Sequence, residues 1–261
     1  MSEPSIDLRF RVLGPIEVVR DDEFVPLDGT KPRTVLAALL LARGSLVSDA
    51  RLSEYLWADQ PPATSTAQLY TYVSRLRKKI GGHIARKLDG YVLDVDLECL
   101  DLVEFERLSA VGRDAVADGR LDDAATAFHR ALSVWTGPAL SGTCDNLLVT
   151  AADRLEEARL AVVEEQVTVE LTLGRHASLL PQLRALVRAH PLRERFRAQL
   201  MTAYFRCDRQ ADALSEYDDA RRYLADELGL DPGPSLRTVH RAVLQCDTRL
   251  LASSLHVSLA S

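Results

Sequence analysis

No stretch of this 261-residue chain is apolar for long enough to span a membrane: the longest run, Val35 to Ala42, falls far short of the ~18 residues a bilayer requires. The first residues, Met1-Ser2-Glu3-Pro4, offer neither the charged nor the apolar stretch of an export signal, so a cytoplasmic protein is expected. Cysteine is scarce. Cys99, Cys144, Cys207 and Cys246 lie far apart and form no Cys-x-x-Cys or Cys/His spacing, which excludes a zinc site or disulfide framework and predicts buried free thiols. The phosphate-cradling Gly-x-x-x-x-Gly-Lys-Ser/Thr loop is missing. The six histidines are scattered, with no His-x-x-x-His or His-Glu-x-x-His arrangement. Asp122-Asp123, Glu156-Glu157 and Asp218-Asp219 have cations nearby, as helix starts and solvated faces do. The expectation is a protein that is not an enzyme, with no catalytic residue, no cofactor and no metal.

Positive charge is in the minority, and a net charge of −6 taken alone argues against nucleic acid. Its distribution argues otherwise. Between Lys31 and Lys87 ten Lys/Arg face three Asp/Glu, whereas residues 99 to 261 hold 19 Lys/Arg and 24 Asp/Glu. A basic segment is joined to an acidic body, and only the segment suits phosphates.

The basic segment centres on residues 65 to 88. Ser65-Thr66-Ala67-Gln68 has the form of a capping box, with Ser65 as the N-cap of a helix. Leu69, Val73, Leu76 and Ile80 then fall on one stripe that faces a core. At about 100° per residue, Ala67, Thr71, Ser74 and Lys78 lie opposite, with Gln68, Tyr70, Arg75 and Arg77 on the shoulders. None of these eight is acidic. Gly81-Gly82 ends the helix, and Ile84 to Leu93 reads as a hairpin bent at Asp89-Gly90, with Arg86 and Lys87 before the bend.

Upstream, residues 5 to 28 read as a small antiparallel sheet, because Leu8, Phe10 and Val12 alternate with Arg9 and Arg11, and Asp21-Asp22-Glu23 makes a turn. Pro32 suits the first position of a helix to about Arg43, and Ser48 suits the N-cap of a second that stops near Trp57. Sheet, three helices and hairpin make a winged helix-turn-helix, whose third helix enters the major groove.

The second half is helical. Gly119-Arg120, Gly174-Arg175 and Asp208-Arg209 each separate two helical patterns, and the last two turns are 34 residues apart, the tetratricopeptide period. The first spacing is 55, so the repeat is irregular. Matching core positions follow the turns: Ala124-Ala125, Leu179-Leu180 and Ala213-Leu214, then Phe128, Leu183 and Tyr217. The fold class predicted is mainly α, an N-terminal winged helix-turn-helix (α+β) over residues 1–98 followed by an all-α tetratricopeptide-like domain over 99–247 and a tail over 248–261. A cut near Cys99 is expected to leave a head that folds, and one near Pro191 to expose a core.

The run Leu69-Tyr70-Thr71-Tyr72-Val73-Ser74-Arg75-Leu76-Arg77-Lys78, with Gly90-Tyr91-Val92-Leu93, resembles the OmpR-type winged helix of the Streptomyces antibiotic regulatory protein family. His190-Pro191-Leu192-Arg193-Glu194-Arg195, Arg209-Gln210-Ala211-Asp212-Ala213-Leu214 and Leu228-Gly229-Leu230-Asp231-Pro232 resemble the bacterial transcriptional activation domain that follows it there. The resemblance implies a sequence-specific transcriptional activator of a secondary-metabolite (antibiotic) gene cluster. It implies, as partners, promoter DNA with tandem direct repeats near the −35 element, RNA polymerase holoenzyme including its sigma subunit, and a second copy of the chain on DNA. Tyr70 stands where glutamine is frequent in the family, so sequence preference does not carry over.

Gln68, Tyr70, Thr71, Ser74, Arg75 and Lys78 are the candidates for the major groove, with Arg77 reaching phosphate. Arg75 is the candidate for guanine, whose paired acceptors match a guanidinium fork. Lys31, Arg33, Arg86 and Lys87 are candidates for phosphate or minor-groove contact, against the plain alternative of solvation for Lys31, Arg33 and Lys79. Two further readings stay open, a helical-repeat adaptor whose winged helix binds protein instead of DNA, and a ligand-sensing regulator.

Overall fold

The computed structural model describes residues 8–247; the tail expected over 248–261 and the start of the sheet region at residues 5–7 lie outside the described residues. Contacts divide the described residues into two compact units. One holds the residues up to Ala110 with Arg130–Leu160, the other Val111–His129 with the residues from Ala161 onward. Among the described residues no helix is long and apolar enough to cross a membrane.

In the first unit β1 (Leu8–Arg11), β2 (Glu17–Arg20) and β3 (Glu23–Val25) form an antiparallel sheet in that order. The alternation holds, with Leu8 and Phe10 buried and Arg9 exposed. Asp21 and Asp22 both take positive φ (49° and 64°), as in the mirror-image two-residue turns whose twist matches that of the strands.

Helix α1 (Thr30–Leu41) begins two residues before the expected start. Gly29 is its N-cap, and Pro32 occupies the third helical position. Proline is tolerated there because the N–H groups of a first turn have no intrahelical acceptor anyway. Helix α2 (Asp49–Trp57) is capped as expected, Ser48 Oγ accepting from the Arg51 N–H at 3.2 Å. Helix α3 (Ser65–Ile80) corrects the capping box. The chain already turns at Ala63-Thr64, the Ser65 N–H donating to Pro62 O at 2.9 Å, so Ser65 is the first helical residue and Thr64 the cap. Gln68 Nε2 therefore bonds Thr64 Oγ1 (2.9 Å) and not the Ser65 backbone.

The hairpin of β5 (Ile84–Lys87) and β6 (Gly90–Leu93) pairs Lys87 with Gly90, so the bend is Leu88-Asp89 and not Asp89-Gly90. Leu88 carries the positive φ (46°). Gly90 serves a different purpose. A two-residue strand absent from the sequence reading, β4 (Val47–Ser48), joins the sheet in the order β4-β6-β5, and a Cβ on residue 90 would lie 2.3 Å from Val47 O and 2.8 Å from Ser48 Cα. Both are backbone atoms and neither can swing aside. Gly90→Ala is expected to cost about 2 kcal/mol through overpacking. An unchanged urea midpoint for that variant would show that β4 and β6 separate freely.

The unit is completed by residues far away in sequence. After a 3-10 turn (Leu97–Cys99), α4 (Asp101–Ala117) presents the Asp101 carboxylate to the Val12 and Leu13 N–H groups at 2.9 Å. Burial pushes that carboxyl up to about 6, against the pull of the Leu13 and Val12 N–H groups. Helix α5 (Leu121–Ser133) leads to an irregular segment, a short helix α6 (Asp145–Leu147) and a π turn (Leu148–Ala152). The segment lies along the β1–β2 loop, through Thr136 N to Leu13 O, Leu140 N to Val12 O and Ile16 N to Ser141 O (2.9 to 3.2 Å). Cys144 N reaches Thr34 Oγ1 (2.8 Å), and Asn146 Nδ2 reaches Glu54 O (2.8 Å). This insertion is why the first spacing is 55.

The second unit is helical, with the end of α7 (Asp153–Thr172), α8 (His176–Ala189), α9 (Glu194–Arg206), α10 (Gln210–Leu228) and α11 (Pro234–Leu244). All three expected turns are present in the same form. Gly119, Gly174 and Asp208 take left-handed φ (74°, 80°, 59°), and each following arginine N–H returns to the carbonyl five residues earlier. Helix α9 packs against α8, α10 and α11, so every residue from Phe196 to Tyr204 is buried. Its polar side chains are bonded: Arg197 to Pro191 O and Glu216, Gln199 Nε2 to Glu164 O and Thr168 Oγ1. Ala124, Ala125, Leu179, Ala213, Phe128 and Leu183 are buried as expected, but Leu180, Leu214 and Tyr217 only partly. The cysteines are free thiols but not fully buried, Cys246 being exposed.

Candidate nucleic-acid interface

Helix α3 is amphipathic by sequence, and its two sides have separate duties. Leu69, Val73, Leu76 and Ile80 are buried, where the helix packs on α1, α2 and β5. The other side carries no acidic residue, and Ala67, Tyr70, Thr71, Arg75 and Lys78 are exposed, Tyr70 to 63%. Gly81 in the left-handed region (φ 78°) stops the helix, its N–H and that of Gly82 both returning to Arg77 O. The basic last turn, Arg77-Lys78-Lys79, complements the carbonyl end of the helix dipole.

The eleven candidate residues fall into two sets. Tyr70, Ser74, Arg75, Lys78 and Lys87 make no hydrogen bond or ion pair among the described residues, and all but the half-buried Ser74 are exposed. Arg75 and Lys78 also line a hollow of about 210 Å³ with Leu27 and Pro32. Most of the others are occupied. Gln68 bonds Thr64 at one end and accepts from the Tyr72 hydroxyl (3.1 Å) at the other, and Thr71 Oγ1 donates to Ala67 O (2.9 Å). Arg77 Nε donates to Ile84 O at 2.7 Å, which ties the end of α3 to the first strand of the hairpin. Arg86 is clamped by both Asp49 oxygens (2.6 and 2.7 Å) and lies 4.7 Å from the Tyr91 ring centroid. Lys31 sits 4.9 Å from the Trp57 ring centroid, and Arg33 lies against Gly142.

Two carboxylates that the sequence reading passed over neutralise cations of the basic segment. Asp49 neutralises Arg86, and Asp28 neutralises Lys79 at 2.7 Å. The Lys79 ammonium, by hydrogen bond and by charge, holds Asp28 below the usual carboxylate range, with Arg33 and Arg75 adding smaller pulls. Neither pairing has a local signal, since the partners are 37 and 51 residues apart. A third feature also went unread: Leu88, at the hairpin tip, is 90% exposed.

The chain is also similar to known proteins. Residues 27–92 match the family described as "Transcriptional regulatory protein, C terminal", and residues 100–244 match "Bacterial transcriptional activator domain". Regulatory protein AfsR of Streptomyces coelicolor is 40% identical over 95% of this chain and 25% of its own length, so the chain spans about a quarter of that relative. Regulatory protein DnrI of Streptomyces peucetius is 36% identical over 92% of this chain and 93% of its own. The solved structure of Mycobacterium tuberculosis EmbR in complex with a low-affinity phosphopeptide superposes with a TM-score of 0.93 at 34% identity, covering 98% of this chain and 70% of that one.

Proposed function

Because this chain belongs to the Streptomyces antibiotic regulatory protein family of transcriptional regulators, we propose that it activates transcription by holding promoter DNA with residues 1–98 and keeping residues 99–247 for protein contacts. The observation that carries this reading is the outer face of α3. It is exposed, free of acid and carries Arg75 and Lys78, which form no ion pair among the described residues, on a helix whose inner face is locked in the core.

With α3 in the major groove, Tyr70, Ser74, Arg75 and Lys78 meet base edges, and Gln68 and Thr71 join them by exchanging a bond inside the helix for one to DNA. Arg75 offers guanine its fork. Lys87, exposed on the hairpin, meets phosphate, and Lys31 and Arg33 do the same from the start of α1. Arg77 and Arg86 hold the hairpin to α3 and α2, so their contribution is its orientation. The targets are tandem direct repeats near the −35 element of promoters in a secondary-metabolite cluster. There two copies of the chain recruit RNA polymerase holoenzyme through its sigma subunit.

The test compares two variants in footprints on genomic fragments at two salt concentrations. Arg75→Ala is expected to cost about 1–3 kcal/mol and to relax preference at one base position, whereas Lys87→Ala weakens all sequences alike and lowers the salt dependence. Equal losses by Arg75→Ala on specific and random DNA would remove it from base reading. Binding without salt dependence would favour the adaptor reading instead.

A further inference from the structure

The acidic half of the chain contains a cationic island. Residues 176–209 hold seven arginines against two acids, Glu194 and Asp208. Five of the seven are engaged within the second unit: Arg193 and Arg195 with Glu164, Arg197 with Glu216, Arg206 with Leu171 O and Arg209 with Asp212. Arg184 and Arg188 have no such partner, although the Arg184 charge, after the Arg209 hydrogen bond, helps to hold Asp212 below the usual carboxylate range. Both are exposed on α8 and make no hydrogen bond or ion pair among the described residues. They stand on one lip of a cleft of about 610 Å³ formed by α8, α9 and α10. The opposite lip is Asp212, Ser215 and Asp219 of α10, whose two acids already have Arg209 and Arg222 as partners. Val187, Leu200, Tyr204 and Tyr223 line the cleft between the lips, beside the Arg197–Glu216 ion pair.

We propose that this cleft docks an extended acidic peptide segment of a partner protein, with carboxylates two residues apart. Spacing supports that choice. Residues four apart on a helix are separated by about 6 Å along its axis. Alternate residues of an extended strand advance by about 6.6 Å. Carboxylates at positions i and i+2 thus meet Arg184 and Arg188 together, in charge-assisted and potentially bidentate pairs. The side chain between them points to the α10 lip, where Ser215 can exchange a hydrogen bond. A nucleic-acid backbone fits less well, because a continuous row of phosphates would also lie beside Asp212 and Asp219.

The proposal is independent of the DNA reading, since neither arginine lies on α3 or the hairpin. Fluorescence anisotropy of a labelled peptide of alternating Asp and Ser, titrated with the full chain, tests it. Saturable binding is expected, weakened about tenfold or more by the double variant Arg184→Glu/Arg188→Glu. The alternating Asn and Ser peptide should not bind. The milder pair Arg184→Gln/Arg188→Gln keeps the test valid if charge reversal lowers the thermal midpoint. The proposal is overturned by equal binding of the Asn peptide, by unchanged affinity in both double variants, or by tighter binding of single-stranded oligonucleotide at the same two arginines.

Discussion

A fragment ending at Cys99 is expected to show no cooperative thermal transition, although it contains every strand and helix of the winged helix. The physical reason is what the cut removes from the first unit. Asp101 supplies the acceptor for the Val12 and Leu13 N–H groups, and residues 136 to 141 close the β1–β2 loop through Leu13 O, Val12 O and the Ile16 N–H. Val12 and Leu13 are fully buried in the intact chain, as is Thr34, whose Oγ1 caps the Cys144 N–H. The cut would strip apolar surface and leave backbone groups without partners at the same place, two losses that compound. The hydrogen bonds thus predict a head that needs its insertion, opposite to the expectation from sequence of a head that folds alone. The point-mutation form is Asp101→Ala, which leaves two N–H groups unpaired and is expected to cost about 3 kcal/mol. Circular dichroism melts decide the matter. If the fragment melts within a few degrees of the full chain, the segment from Thr136 to Asn146 is decoration.

Transcription and paired binding should collapse when about five base pairs are inserted between the two repeats of a target promoter, and recover with an insertion of about ten or eleven. Half a turn carries one copy to the opposite face of the duplex. Tandem copies related head to tail touch through different surfaces, so no symmetry can restore the contact after such a rotation. The helical half, with 24 acids against 19 cations, is repelled by phosphates and is free to face a neighbouring copy or polymerase. Survival of activity after the half-turn insertion would sink the same-face arrangement while leaving DNA binding by α3 untouched. The Arg75 footprint and this insertion therefore fail separately.

What the sequence by itself determined is whatever depends on neighbours a few residues away. The α3 stripe of Leu69, Val73, Leu76 and Ile80 was legible because helical periodicity is a local property, and burying that stripe necessarily turns Tyr70, Thr71, Arg75 and Lys78 outward. The three interhelical turns were legible for the same reason, with Asp208 taking the left-handed role that glycine has at 119 and 174. Cap positions slipped by a residue or two, to Thr64 and Gly29, where the preceding chain was already turning. Only the tertiary structure decided which cations are free. Arg86 and Lys87 are adjacent and look alike in sequence, yet one is clamped by Asp49 and the other has no partner among the described residues. Strand β4 was invisible because two residues have no period, and the segment from Thr136 to Asn146 because its bonds to residues more than ninety positions away are, apart from that of Asn146 Nδ2, made by its backbone groups. A backbone N–H is the same in every residue but proline, so its distant partner leaves no mark on the side chains.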